Sequence, residues 1–379
     1  MGKFVSFFVA CAVVFAAFHA MAAEPQAPAN PKVEKKSSAG TAETLLKENR
    51  DGTYSMSEEL NGKLFTFITA DDLDEAKIKT AFKDGFKELT RILDLTSHKS
   101  AKGSFAKINA NAGIKPVVVP PELFDIISRA IEVSTITKGA FDITYGPLGK
   151  LWDFKKVPFV VPTEVQIKEA LPLVDYSAVE LDKSRTTVFL KQPGMSIGLG
   201  GIATGYAADK VTYILQNHGL RNFVVYAGGD LMVIGRKGEK SWKVGIQDPF
   251  HPENYFATMP VINKAVVTSG DYEKAYDVDG KFYHHIIDTK TGYPSIECHQ
   301  VTIVADYATY ADALATGVFV LGPNVSIPLI EKMPGVDALI IDMQGNVYMT
   351  SGIKDSVKIK KEYTPPTDSA DAKSPEVFE

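Results

Sequence analysis

The stretch Ser196–Val211, SIGLGGIATGYAADKV, places four glycines and three alanines around one turn and then runs into an amphipathic helix. Glycine loses more conformational freedom on folding than any other residue. Such a cluster therefore marks a tight turn, a close packing contact or a ligand approaching the backbone. By itself it reads equally well as the start of a helix packed closely on a sheet. Downstream, YAADKVTYILQNHG (Tyr206–Gly219) carries Ala207, Val211, Ile214 and Leu215 on one helical face, with Gly219 as a C-terminal cap. Upstream, TTVFLK (Thr186–Lys191) and MSIGL (Met195–Leu199) read as strands leading into the turn.

Beyond this turn, LFTFITA (Leu64–Ala70) reads as a strand, and Asp72–Ser97 as a long helix with Asp72 as its N-cap. PPELFDIISRAIEVSTITKG (Pro120–Gly139) is a helix opened by prolines and closed by glycine. After Gly219 the pattern is mostly strand: NFVVYAGGDLMVIG, WKVGIQDP, ATMPVINKAVVTSG, FYHHIID and HQVTIVA. The helix YATYADALATGVFVLG and a last strand pair, VDALIID and GNVYMTS, complete it. Runs of strands with segregated helices predict an α+β fold. No linker interrupts Leu60–Ser351, so residues 43–353 are read as one interwoven mixed α/β domain.

The chain has 379 residues, 45% of them hydrophobic, and a formal net charge of −5. That is enough for a large core, and without any long basic run it argues against a nucleic-acid binder. Lys3, the apolar run Phe4–Phe18 and the small residues Ala20 and Ala22 match a secretory signal over residues 1–22, cut after Ala22. The expectation is an exported, periplasmic protein, with an uncleaved N-terminal membrane anchor as the alternative. Residues 23–42 read as a disordered linker and 354–379 as a mobile tail. Past the signal, Cys298 is the only cysteine, which excludes an intramolecular disulfide and a multi-thiolate metal site.

Chemistry concentrates in short segments rich in glycine, hydroxyl and acidic residues: GAFDITYGPLGKLW, GLGGIATGYAAD, YAGGDL, VTSGDYEKAY, HHIIDTKTGYP and ADALATG. Asp312 and Thr316 stand four apart on a helix, so their oxygens share one face and suit a hard cation such as Mg²⁺. The plainer alternative is an exposed Asp beside a Thr bonded to its own helix. His284 and His285 are adjacent in a strand and point to opposite faces, so they cannot chelate one ion. Either could be a satisfied or exposed histidine, and a catalytic base is the further possibility. Thr268, Ser269 and Gly270 end a strand with hydroxyls and free N–H groups, a common phosphate-binding arrangement. No glycine turn matches the P-loop, and the dinucleotide fingerprint fits poorly.

Taken in order, GAFDITYGPL, GGIATGYAAD, AGGD, TSGDYE, HIIDTKTGYP and ADALATG resemble the FAD:protein FMN transferases, the ApbE family, across about Leu60–Ser351. The resemblance implies that Mg²⁺ and FAD are used. It also implies transfer of the FMN half of FAD to a threonine or serine of an acceptor redox protein, as a phosphoester, with release of AMP. Association with a membrane would then be peripheral, through that acceptor. Carried over, Asp312, Thr316 and the Gly201 carbonyl bind the metal. Ala140, Phe141, Asp142, Thr204 and Ile287 line the FAD site, and Thr268 and Ser269 lie near the diphosphate. His285 is the base, with Asp271 as the alternative.

Five positions depart from the family pattern. Asn61-Gly62-Lys63 stands for Met-Gly-Thr, His98 for an aromatic, Gly198 for an acidic residue, Thr204 for Lys or Glu, and Thr289 for proline. They lead to an expectation of weakened FAD contacts around an intact metal site. The rival reading is a paralogue that binds FAD, or hydrolyses it to FMN and AMP, without protein transfer. A third reading is a structural domain without ligand, in which every glycine turn is packing.

Overall fold

The computed structural model describes residues 45–97, 103–251, 253–360 and 363. The expected signal, the linker, His98 and nearly all of the tail beyond residue 360 lie outside the described residues. Among those described, no helix is long and apolar enough to cross a membrane.

A nine-stranded sheet organises the chain. Its strands are β1 (Lys47–Glu48), β2 (Tyr54–Leu60), β3 (Lys63–Thr69), β4 (Phe223–Ala227), β5 (Asp230–Ile234), β6 (Lys264–Gly270), β7 (Cys298–Ala305), β8 (Asp337–Asp342) and β9 (Val347–Met349). They lie side by side in chain order, every neighbouring pair antiparallel. One face carries α1 (Glu75–Leu95), α2 (Pro121–Ile136), α3 (Ala203–Asn217) and α4 (Ala308–Leu321). The other face is covered by a three-stranded sheet of Trp242–Gln247, Tyr255–Val261 and Lys358–Ile359. Helices gathered on one face of an antiparallel sheet make this an α+β fold.

Local chemistry explains the elements. β4 and β7 are buried along their whole length because both faces of the sheet are covered. That is why they read as continuous apolar runs rather than alternating ones. α1 buries Ile78, Phe82, Phe86, Leu89 and Ile92 at helical spacing. Its Gly85 allows close approach, since a Cβ there would stand 2.8 Å from the Phe67 ring. Phe67 is fully buried, stacked on Phe86 at 4.1 Å, so truncation to Ala would cost about 3–5 kcal/mol. Asn61 and Gly62, both at positive φ, form the two-residue turn joining β2 to β3. That is the Asn-Gly chemistry such hairpins demand.

Several expected boundaries move. The N-cap of α1 is Asp74, not Asp72: the helix starts at Glu75, and only Asp74 reaches the N–H groups of Ala76 and Lys77. Met195–Leu199 is not a strand. Ser196 makes one bridge to Tyr145, while Ile197 N–H donates to Asn109 Oδ1, so side-chain bonding replaces a ladder. α3 begins at Ala203, before Tyr206, and the strand containing FYHH stops at His284. Ordered structure also runs past residue 353, because Lys358–Ile359 pairs with Ala257–Thr258.

Candidate active site

The opening glycine turn lies where α3 meets α4. A Cβ on Gly205 would stand 2.2 Å from the Ala308 carbonyl oxygen and 2.8 Å from Asp312 Cβ, so only glycine permits this crossing. The Gly205 N–H donates to Asp312 Oδ2 at 3.0 Å, fixing the carboxylate. One turn further along α3, Asp209 accepts from the N–H groups of Ala308 (2.8 Å) and Thr309 (2.9 Å). α4 has no side-chain cap of its own, so Asp209 supplies it from the neighbouring helix. Asp209 escaped the sequence reading because a cap contributed from about a hundred residues away has no local signature.

Gly201 completes the junction. A Cβ there would lie 3.3 Å from both Thr316 Oγ1 and the Phe141 ring. Gly201, Asp312, Thr316 and Phe141 therefore come together, as the sequence implied. A carboxylate, a hydroxyl and a nearby backbone carbonyl form a hard oxygen set that fits Mg²⁺. Among the described residues there is no rival cluster of three or more His, Cys, Asp or Glu side chains able to hold a metal. Burial pushes the Asp312 carboxyl up to about 7, against the Gly205 hydrogen bond and the positive charge of Lys63, which pull it down.

Two further groups belong here that the sequence reading did not single out. Asp230 opens β5 and is 7% exposed, and its Oδ2 is enclosed without a hydrogen-bond partner. Burial and then the nearby Asp312 hold its carboxyl well above the ordinary range. Lys63 lies across the Gly228-Gly229 turn and donates from Nζ to the Gly228 carbonyl at 3.2 Å. Gly228 has φ 61°, and a Cβ on it would meet Lys63 Cδ at 2.8 Å. The departure Asn61-Gly62-Lys63 thus joins a hairpin and delivers an ammonium group to the site. The signals available were the AGGD motif for Asp230 and the departure itself for Lys63.

The histidines separate cleanly. His284 donates from Nε2 to the Ser295 carbonyl at 2.8 Å and accepts at Nδ1 from the Ile286 N–H, so neither nitrogen is available to a metal. His285 is half-buried with an enclosed, unpartnered Nδ1. Burial first, then the positive charge of Lys274, pushes it down to about 3, which leaves the ring neutral across the physiological pH range. Asp271 is buried and engaged with His299, Oδ2 to Nδ1 at 2.6 Å, a position that suits an anchoring carboxylate.

The remaining candidates divide between site and scaffold. The Asp142 carboxylate accepts from Thr144 N–H and Oγ1 and from Tyr176 N–H, so it ties two loops together. Ala140 is buried beside Phe141, and Thr204 is half-buried in the first turn of α3. Ile287 packs in a satellite core with Trp152 and Tyr283. Thr268 and Ser269 point to opposite faces of the sheet. Ser269 shares the helix-covered face with Val267, whereas Thr268 shares a hydrogen bond with Thr302 at 2.8 Å on the other face. Only Ser269 directs its side chain to the Asp312 side. Two departures also gain a reason. A Cβ on Gly198 would lie 2.7 Å from the Tyr145 ring, which fills the space of a longer side chain. Thr289 donates to the Gly139 carbonyl at 2.6 Å, a bond proline cannot make.

Comparison with known proteins finds relatives along most of the chain. Residues 63–340 match the ApbE family. A Treponema pallidum protein named FAD:protein FMN transferase is 35% identical over 322 residues, covering 81% of this chain and 89% of its own. One from Klebsiella pneumoniae with the same name is 31% identical, covering 70% and 83%. The crystal structure of the ApbE protein from Thermotoga maritima superposes with a TM-score of 0.74 at 32% identity, covering 80% of this chain and 99% of that one. The flavin transferase ApbE from Vibrio cholerae gives 0.72 at 25% identity, with the same coverage. With the family match spanning residues 63–340 and relatives this similar over most of its length, this chain belongs to the ApbE family.

Proposed function

We propose that this chain is an exported, Mg²⁺-dependent FAD:protein FMN transferase that modifies a threonine or serine of a redox protein and releases AMP. The observation that carries this reading is the Gly201–Asp312–Thr316 junction, locked by the Gly205 hydrogen bond. Asp312, Thr316 and the Gly201 carbonyl would hold Mg²⁺, which when bound supplies charge neutralisation on the diphosphate.

The chain's own groups account for the rest. The neutral ring of His285 takes the proton of the acceptor hydroxyl as that oxygen bonds to the FMN phosphorus. The bond from this phosphorus to the AMP oxygen breaks, and AMP leaves with the electron pair. Lys63 presents positive charge to the anionic diphosphate, and Phe141 and Ser269 line the approach.

The test uses protein without residues 1–22, incubated with FAD, Mg²⁺ and a threonine-bearing acceptor domain, and reads the acceptor's intact mass. Gain of one FMN phosphoester, abolished by chelator, is expected. Formation of free FMN and AMP without any gain in acceptor mass would overturn transfer in favour of FAD hydrolysis. Location is tested separately, by fractionating the native host and probing the periplasm for protein starting at Ala23.

A further inference from the structure

A carboxylate oxygen sealed from water with no hydrogen-bond donor is uncommon in folded proteins and calls for an explanation, such as a proton, a water or a bound ion. Asp230 Oδ2 is such an atom, on a residue only 7% exposed. Its position is set by the sheet. Asp230 pairs with Val267 of β6, which pairs with Ile303 of β7, and α4 folds back over these strands directly after β7. The alternation along β5 puts Asp230 on the same face as Met232, the face packed by the helices, whereas Leu231 faces the small sheet. The side chain is therefore directed to the layer from which α4 presents Asp312 and Thr316.

The available protein cation does not satisfy it. Lys63 gives its hydrogen bond to the Gly228 carbonyl and makes no ion pair with Asp230. Asp312 is itself 8% exposed and accepts a single hydrogen bond, from Gly205. Two enclosed carboxylates with one donor between them are stable when protonated or when they share a cation, and a divalent cation is the partner that lets both stay ionised at neutral pH.

Resting on the Mg²⁺ reading above, we propose that Asp230 is an inner-sphere ligand of the same divalent cation as Asp312, Thr316 and the Gly201 carbonyl. The cation site then joins β5 of the sheet to α4, with carboxylates from both. Metal binding would couple the Gly228-Gly229 turn, and Lys63 lying on it, to the helix junction.

The experiment titrates the full chain with Mn²⁺ and no FAD, following free Mn²⁺ by electron paramagnetic resonance, for wild type, Asp230→Asn and Asp312→Asn. Each variant is expected to bind Mn²⁺ at least about tenfold more weakly, with unchanged far-ultraviolet circular dichroism. Wild-type affinity in a folded Asp230→Asn protein, with loss in Asp312→Asn, would overturn the role of Asp230 alone. Wild-type affinity in both variants would overturn the cation site itself. If Asp230→Asn does not fold, anomalous diffraction from Mn²⁺-soaked wild-type crystals decides. An Asp230 oxygen at about 2.1–2.2 Å from the ion supports the assignment, and one outside bonding distance overturns it.

Discussion

Four aspartates, three buried and Asp209 half-buried, form two pairs built on opposite plans. Asp142 and Asp209 each accept three hydrogen bonds: Asp142 from Thr144 and Tyr176, Asp209 from Ala308 and Thr309. Asp312 accepts one, and Asp230 Oδ2 accepts none. Burial raises the pKa of all four, but in the first pair three donors work against it. A saturated carboxylate acts as a clamp and stabilises the fold. An unsaturated one costs stability until a ligand arrives, the usual signature of a site. Hydrogen-bond saturation, more than burial or residue type, distinguishes scaffold from site here.

The largest expected effect is at Asp312. Asp312→Asn should abolish Mg²⁺-dependent turnover, measured as AMP release, yet stabilise the protein in chelator at alkaline pH. The wild-type carboxyl is raised to about 7 in the folded state, so its contribution is intact below the ordinary carboxylate pKa and is lost as pH rises through 7. Asparagine copies the neutral acid. Melting curves should therefore lie closest at pH 3–4, below or near the ordinary carboxylate pKa, and separate steadily above it, with the variant melting higher at pH 8.5. A difference that does not change with pH would sink the comparison.

His285→Ala comes next. A reduction in kcat of roughly 10²–10⁴-fold, with little change in FAD affinity, is expected of a lost base. Equal losses in both would make it a packing residue. Because the folded pKa lies at about 3, below the ordinary histidine value, the unfolded chain binds the extra proton between these limits. This residue therefore makes stability rise with pH across that window and leaves no break in activity near 6.5.

Asp209→Ala probes the clamp. It should lower stability by about 2 kcal/mol, the combined loss of a helix cap and charged hydrogen bonds, at every pH where the acid is ionised. Its sign is opposite to that of Asp312→Asn at pH 8.5, and denaturant melts of the two variants side by side are the sharpest test of saturated against unsaturated. The smallest effect is at Lys63. Lys63→Thr should raise the KM for FAD several-fold with a lesser change in kcat, and added salt should shrink the difference. An effect on kcat alone would remove Lys63 from substrate binding.

Much of the site was legible from residue order. Gly201, Asp312 and Thr316 belong to motifs that carry the family resemblance; their spacing adds only that an i, i+4 pair on a helix shares a face wherever that helix lies. The resemblance sets Asp142 beside FAD, and the structure adds what no local sequence reveals, that its carboxylate also accepts from Thr144 and Tyr176. Thr268 and Ser269 were grouped as neighbours, although strand alternation sends them to opposite faces and the structure shows which face holds the site. The N-cap of α1 was misplaced by two residues, in a run where three aspartates compete for one position.

The sequence by itself determined the α+β class and, through the ordered motifs that resemble the ApbE family, the family and the candidate residues Gly201, Asp312 and Thr316. Each of these rests on local periodicity or on a contiguous motif. Only the tertiary structure decided that Asp209 caps a helix from another helix and that Lys63 replaces a neutral residue with a cation over the Gly228-Gly229 turn. It alone showed that Asp230 Oδ2 is enclosed without a donor, on the sheet face covered by the helix that carries Asp312. These depend on which groups a long chain brings within a few ångströms, and on how many donors each buried oxygen then finds, quantities that no segment of the sequence contains.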